Sequence, residues 1–450
     1  MDQKLLAFAL QDVPRYTSYP TAVQFEPDFS GTAADNWLGA LAPEATLSVY
    51  VHIPFCQQLC WYCGCHTSVP NSYDRAARYV EFLIRDIERS AALLPAPMGR
   101  VKHIHFGGGT PTYLDDMHIG EILEAIDNGF GIAAGAEVAL ESDPRTLTRN
   151  RAKVLAAMGF NRISFGVQDF ALPVQLRINR LQTFGRVAAA TEFLRAAGFT
   201  SVNFDLMYGL PAQTVDSAAQ TARQTVELAP ERVAVFGYAH VPWFKKHQTM
   251  IDEATLPGAA GRYNQAATIE SELCAAGYAA IGLDHFALPQ DELTRAAGSG
   301  KLRRNFQGYT TDVSDALLSF GASAISEFPQ GFAQAARDTL QWSQHIDANE
   351  SPVTRGLATT TEDRMRAEII ERLMCGLTAD YAAIATAHGF AVSALGDVPA
   401  RLAAAVEAGI ARIEGTRVNV PPQYRLFSRT VAAAFDSHFL AAPNRHAKAV

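Results

Sequence analysis

Over its first 240 residues the chain alternates short runs rich in β-branched and aromatic residues with longer segments whose apolar positions recur every three or four residues. The runs at 46–53, 101–106, 136–141, 161–166, 201–207 and 232–238 read as strands. In the segment 75–94, Tyr79, Leu83, Ile87, Ala91 and Leu94 share one helical face, and Ser72 stands where an N-cap is expected. Six strand–helix units in series predict a parallel sheet with right-handed crossovers. Periodicity alone does not choose between a barrel and an open, doubly wound sheet. From about 290 to 360 the pattern is irregular. From 361 it is helical again, and a short pair around Gly415 and Thr416 reads as a hairpin. The expected organisation is an arm over 1–45, a strand–helix body over 46–290, an irregular connecting region completing the site over 291–360, and a C-terminal helical domain with a small wing over 361–450.

Composition narrows the class. Of 450 residues, 48% are hydrophobic and 19% charged, as in an ordinary globular protein. The charge sum, 38 − 46 = −8, argues against nucleic acid or an anionic membrane as the main partner. Ten basic and nine acidic residues in 361–450 give the wing no basic face for DNA. No run of 18 apolar residues predicts a membrane span, and the N-terminus does not read as a signal peptide, so a cytoplasmic location is expected.

Of six cysteines, Cys56, Cys60, Cys63 and Cys65 fall within ten residues, directly after the first strand. Such clustering points to metal or redox chemistry rather than a disulfide framework. The spacing C-x3-C-x2-C-x-C suits an iron–sulfur cluster held on one side by a loop. Structural zinc is the alternative, but it favours two separated cysteine pairs. Cys274 and Cys375 lie in helical patterns and read as buried thiols. The other motifs converge on the same place. Gly107–Thr110, Glu141, Gln168, Asp205 and Ala239 all lie at or near the C-terminal ends of expected strands, the rim on which parallel α/β folds build their sites. His52, between Val51 and Ile53, reads as a satisfied core residue.

The C-x3-C-x2-C loop after the first strand resembles the radical S-adenosylmethionine enzymes. The segments PRYTSYPTA (14–22), YVHIPFC (50–56), GGGTPTYL (107–114), GVQDF (166–170), DLMYGLP (205–211), GYAH (237–240), DHFALP (284–289), NFQGYTT (305–311) and SAIS (323–326) resemble, in order, the oxygen-independent coproporphyrinogen III oxidases. The resemblance implies a partial parallel (β/α)6 barrel with a C-terminal helical domain. It implies a 4Fe–4S cluster on Cys56, Cys60 and Cys63, with Cys65 as an extra thiol, and two molecules of S-adenosylmethionine. Tyr50, Gly108, Glu141 and Ile325 would hold the first molecule. Tyr62, Gly109, Thr110, Gln168, Arg180, Asp205 and Ala239 would hold the second.

Phe306 and Gln307 match positions implicated in the family's active site, and Arg15 would pair with a propionate of the substrate, coproporphyrinogen III. An electron donor and a final acceptor are required, neither named by the sequence. No dimer is implied, so a monomer is expected. For Glu141 and Asp205 a buried salt bridge is the alternative to cofactor contact. Ser142 and the stretch 375–380 depart from the family pattern. A haem-chaperone-like relative, an inactive paralogue and a zinc-binding interaction module are the competing functions; the first lacks the fourth cysteine and the PRYTSYPTA arm, both present here.

Overall fold

In the computed structural model, which describes residues 3–94, 99–439 and 448–450, six parallel strands form the centre. They are β1 (Leu47–Ile53), β2 (Val101–Gly108), β3 (Ile132–Ser142), β4 (Arg162–Gln168), β5 (Ser201–Tyr208) and β6 (Arg232–Gly237). After each comes a helix: α1 (Asp74–Ala91), α2 (Asp116–Phe130), α3 (Arg149–Ala157), α4 (Phe184–Ala197), α5 (Val215–Leu228) and α6 (Ala259–Ala275). The strands lie side by side in sequence order. A doubly wound sheet would reverse its order at a switch point; this one does not, and the choice left open by periodicity falls to the partial barrel. Tight burial explains the strand composition, since Leu47, Val51, Ile53, Val101 and Phe106 are fully enclosed.

The segment 290–360, irregular in pattern, contributes four strands to the same sheet. β7 (Ala316–Phe320) pairs in parallel with β1 on its free side. β8 (Ile325–Phe328), β9 (Gly331–Ala335) and β10 (Val353–Ala358) then add antiparallel neighbours. Strands of four to six residues offer too few positions to display a period. At the other edge, His285–Ala287 pairs antiparallel with β6.

The arm is tied to the C-terminal part. The Tyr16 hydroxyl donates to Asp436 at 3.0 Å, and the Tyr19 and Ser437 hydroxyls bond at 3.0 Å. The helix α7 (Thr361–Gly376) buries Met365, Ile369 and Leu373 in the same apolar core as β1, and the expected hairpin forms from Arg412–Glu414 and Arg417–Asn419. Residues 440–447 of the expected C-terminal domain lie outside the described residues.

Two local expectations are corrected. Ser72 does not cap α1; Tyr73 occupies that position without a side-chain bond, and the Ser72 hydroxyl bonds Asp74 instead. Cys274 is exposed because Ile269 and Leu273 take the core side of α6, while Cys375 is half-buried, its thiol pushed up to about 12 by burial and by Glu371. Among the described residues no helix is long and apolar enough to cross a membrane.

Candidate active site

The C-terminal strand ends open onto a cavity of about 580 Å³. The loop after β1 brings Cys56, Cys60, Cys63 and Cys65 to its wall. That loop is closed at its base by the Cys56 amide donating to the Ser68 carbonyl at 3.0 Å and the Ser68 amide to Pro54 at 2.9 Å. Side chains from distant elements hold its outer backbone. Asn179 donates to the Leu59 carbonyl at 2.9 Å, Gln248 to Tyr62 at 3.0 Å, and His247 to Cys63 at 2.7 Å. With the backbone engaged from behind, the sulfurs are left to the cavity.

Cys56 and Cys60 each have a polar neighbour of their own, and Cys63 and Cys65 neighbour each other. Cys56 Sγ lies 3.2 Å from Thr67 Oγ1 and 3.5 Å from Thr110 Oγ1, and Arg180 Nη1 reaches Cys60 Sγ at 3.5 Å. Hydrogen bonding from Cys65 pulls the Cys63 thiol down to about 7, whereas burial pushes Cys56 up. Among the described residues no three His, Cys, Asp or Glu side chains gather closely enough for a single metal ion. Three thiols spread along one wall suit a polynuclear cluster, in which each thiolate takes a different iron.

The glycine run lets β2 meet this loop. A Cβ on Gly109 would lie 2.6 Å from the Phe55 carbonyl oxygen, and Gly108, at φ 109°, has the His52 ring where its Cβ would point. His52 is the enclosed core residue expected: it meets the Tyr50 hydroxyl at 3.1 Å and the His66 carbonyl at 3.0 Å, and burial draws its pKa to about 4. Glu141 ends β3 facing the cavity. It accepts from the Gly108 amide at 3.2 Å and stands 3.5 Å from His105 Nε2. No lysine or arginine pairs with it among the described residues; its basic neighbour is His105. Asp205 accepts from Ser164 at 2.9 Å and Asn203 at 2.8 Å; burial and then the Glu141 charge push it up to about 6.

Gln168 enters the cavity through a bulge, where the β4–β5 register skips between Gly166 and Gln168. Its φ of 66° is left-handed, a strained setting of roughly 1–3 kcal/mol of the kind found at binding sites. Arg180 is locked by Asp143 at 3.3 Å and by the Gly166 carbonyl. Tyr62, Thr110 and Ala239 also line the cavity, and Arg15 sits at its rim, donating to the Gly237 carbonyl at 3.3 Å.

Four expected residues lie elsewhere. Tyr50 and Gln307 line an inner polar chamber of about 200 Å³ within the barrel, which Glu141 and Asp205 also border. Ile325 is on β8, and Phe306 packs edge-on against Phe332 at 6.1 Å; neither lines the cavity. Sequence reasoning missed Asp143, which orients Arg180 and had a signal in its place just after β3. It also missed His247 and Gln248, some 180 residues from the loop they hold, for which no local signal exists.

A partial parallel barrel with a three-cysteine loop after its first strand defines a radical S-adenosylmethionine enzyme, and residues 50–225 match the Radical SAM superfamily. An oxygen-independent coproporphyrinogen III oxidase of Bradyrhizobium diazoefficiens is 44% identical over 99% of both chains, and one of Escherichia coli is 40% identical over 94% of this chain and 93% of its own. The solved structure of the Escherichia coli coproporphyrinogen III oxidase, described as a radical SAM enzyme, matches with a TM-score of 0.90 at 37% identity, covering 95% of this chain and all of that one. The chain belongs to the oxygen-independent coproporphyrinogen III oxidases, oxidoreductases of the radical S-adenosylmethionine superfamily. Membership implies a 4Fe–4S cluster and S-adenosylmethionine.

Proposed function

We propose that this protein converts two propionates of coproporphyrinogen III to vinyl groups, giving protoporphyrinogen IX in haem biosynthesis. The observation that carries the reading is similarity along nearly the whole chain to oxidases so named, 44% identical over 99% of this chain in one and 39% over 97% in another. Each propionate gives up a hydrogen atom from its β-carbon, carbon dioxide and one electron. When bound, the cluster and S-adenosylmethionine supply the reducing electron and the radical that takes the hydrogen atom.

The chain's own residues bind and orient. Cys56, Cys60 and Cys63 are the ligands we assign to the cluster, an assignment supported by their common place on the cavity wall. Cys65 stays a thiol beside Cys63. We read two molecules of S-adenosylmethionine per chain. Tyr62, Gly109, Thr110, Gln168, Arg180, Asp205 and Ala239, assigned to the second, all border the large cavity. Of the set assigned to the first, Gly108 and Glu141 border it as well, with Tyr50 just behind and Ile325 outside. Glu141, an acceptor open to the cavity, suits an ammonium group, and Asp205 suits ribose hydroxyls. Arg15 at the rim is our candidate for a propionate, with Phe306 and Gln307 on the substrate side. The arm and the region 291–360 complete the substrate side of a monomer acting in the cytoplasm, and a separate electron donor and acceptor serve it.

Reconstituted protein incubated anaerobically with coproporphyrinogen III, S-adenosylmethionine and a reductant should yield protoporphyrinogen IX and two 5′-deoxyadenosines per product. Haem binding without vinyl formation would overturn the reading.

A further inference from the structure

Beyond β6 the chain carries Trp243 and Phe244 on a short turn. Among the described residues they are the only Phe, Tyr or Trp side chains that are exposed, at 61% and 63%. Single apolar residues scattered over a surface are ordinary, but two adjacent rings left in water beside a cavity mark a binding surface. Both stand at the mouth of the site. Phe244 borders the large cavity, and Trp243 borders a smaller one of about 270 Å³ that adjoins it across Gly237 and Tyr238. Arg15 borders both.

The turn that presents the rings is held from several sides. The Phe244 and Lys245 amides both donate to the Val241 carbonyl, at 2.9 Å and 2.8 Å. The Val241 amide donates to the Gln248 side chain at 2.6 Å, and the buried Gln248 donates in turn to the Tyr62 carbonyl of the cysteine loop. Lys245 Nζ donates to the Cys65 carbonyl at 2.8 Å and lies 5.3 Å from the centre of the Phe244 ring. The turn is thereby fixed relative to the loop that carries the cysteines. In the smaller cavity Arg262 donates to the Val450 carbonyl at 3.1 Å, and Arg429 to the carbonyls of Val13 at 3.2 Å and Ala449 at 3.3 Å. Those two guanidiniums tie the arm and the C-terminal residues to the barrel, and what this rim leaves open is the pair of rings.

We propose that Trp243 and Phe244 form a shelf on which the tetrapyrrole macrocycle lies, at the mouth of the cluster cavity. The inference rests on the decarboxylase reading above. At about 580 Å³ the large cavity falls in the range of about 300–1,000 Å³ that suits a drug-sized ligand. That space is to be shared by the cluster and S-adenosylmethionine, so a macrocycle of four pyrroles bearing four propionates must rest against the mouth. The faces of its rings are apolar and its edge is anionic. Aromatic side chains bury a large apolar area and pack offset or edge-on against other rings. Trp243 and Phe244 therefore suit the faces, and Arg15 at the same rim suits a propionate at the edge. A turn fixed before binding has little freedom left to lose on contact, which favours affinity.

The test follows binding of coproporphyrin III, a stable oxidised form of the substrate, to the reconstituted protein by its absorbance. Trp243→Ala and Phe244→Ala should each weaken binding about tenfold or more, the worth of burying one large apolar side chain. The KM for coproporphyrinogen III should rise in the same proportion. Trp243→Phe, which keeps a ring, should recover most of the affinity. Unchanged binding and KM in either alanine variant would overturn the proposal. Two other occupants have their own signatures. Turnover that falls with a protein electron donor but not with a chemical reductant would assign the rings to that donor, and a wild-type dimer that the variants split would assign them to a second copy; either result overturns the shelf. Should a variant melt early, the unaltered protein decides: bound coproporphyrin III should shield Trp243 from hydroxyl-radical oxidation, read by mass spectrometry, and equal oxidation with and without the porphyrin refutes the shelf. Wild-type turnover of coproporphyrinogen III is measured alongside. Its absence would sink the decarboxylase reading, whereas turnover with unaffected porphyrin binding in the variants would sink only the shelf.

Discussion

Replacing Gly109 with alanine tests the junction on which the whole site depends. The Gly109 amide donates to the Ile53 carbonyl at 2.8 Å and the Thr110 amide to the Phe55 carbonyl at 2.8 Å, so two backbone bonds join the end of β2 to the entry of the cysteine loop. An alanine methyl would sit 2.6 Å from the Phe55 oxygen, 2.6 Å from Thr67 Oγ1 and 2.8 Å from the Phe55 nitrogen, where ordinary contact begins near 3.4 Å. Two of those atoms are backbone and cannot rotate away. Overpacking of this kind costs about 1–3 kcal/mol, and losing the two bonds adds about 0.5–1.5 kcal/mol each. The strand end must therefore move away from Phe55, whose neighbour Cys56 touches both Thr67 and Thr110. Gly109→Ala should melt earlier than wild type by an amount matching roughly 2–6 kcal/mol, and take up less than half the iron on reconstitution. Gly185→Ala, in α4 with nothing within 4 Å of the new methyl, is the control and should do neither. A Gly109→Ala protein with wild-type melting and full iron would refute the argument that close backbone approach is why glycine stands there.

Other outcomes follow from the same geometry. Cys56→Ser, Cys60→Ser and Cys63→Ser should each lose the cluster, read as iron and sulfide content, while Cys65→Ser keeps it; iron loss in the Cys65 variant alone would reverse the ligand assignment. Glu141→Ala removes one amide bond and the contact with His105, so stability should fall by no more than about 2.5 kcal/mol while S-adenosylmethionine cleavage drops by about 10- to 150-fold. A stability loss of about 3–5 kcal/mol would instead point to a buried pair. Asp205 keeps its proton in the folded protein up to about pH 6, whereas the unfolded chain releases it near the ordinary value of about 3.9. Its folded pKa is raised, so this site favours folding at low pH and loses that contribution as pH rises from about 4 to 6. In urea titrations of the cluster-free protein, Asp205→Asn should gain on wild type across that window by up to about 2–3 kcal/mol; a constant difference would contradict it.

Much of the architecture was legible because its signals are local. Each parallel strand packs at least one face into the core, so a run of β-branched and aromatic residues marks it without any knowledge of its neighbours, and all six lie within a few residues of their expected positions. Three thiols within eight residues announce a metal site for the same reason: the ligands come from one loop. What the chain could not declare locally was decided by packing. Strand order, and hence barrel rather than doubly wound sheet, depends on which edges meet. The strands β7 to β10 are too short to show a period and exist because β1 offers a free edge. The cysteine loop is shaped by Asn179, His247 and Gln248, whose amide and imidazole groups reach its carbonyls only after the barrel has formed. The grouping of Arg15, Arg262 and Arg429 has the same origin. Each is an ordinary arginine in its own segment, and only the closing of the arm, α6 and the C-terminal residues against β6 brings the three side chains to one cavity wall.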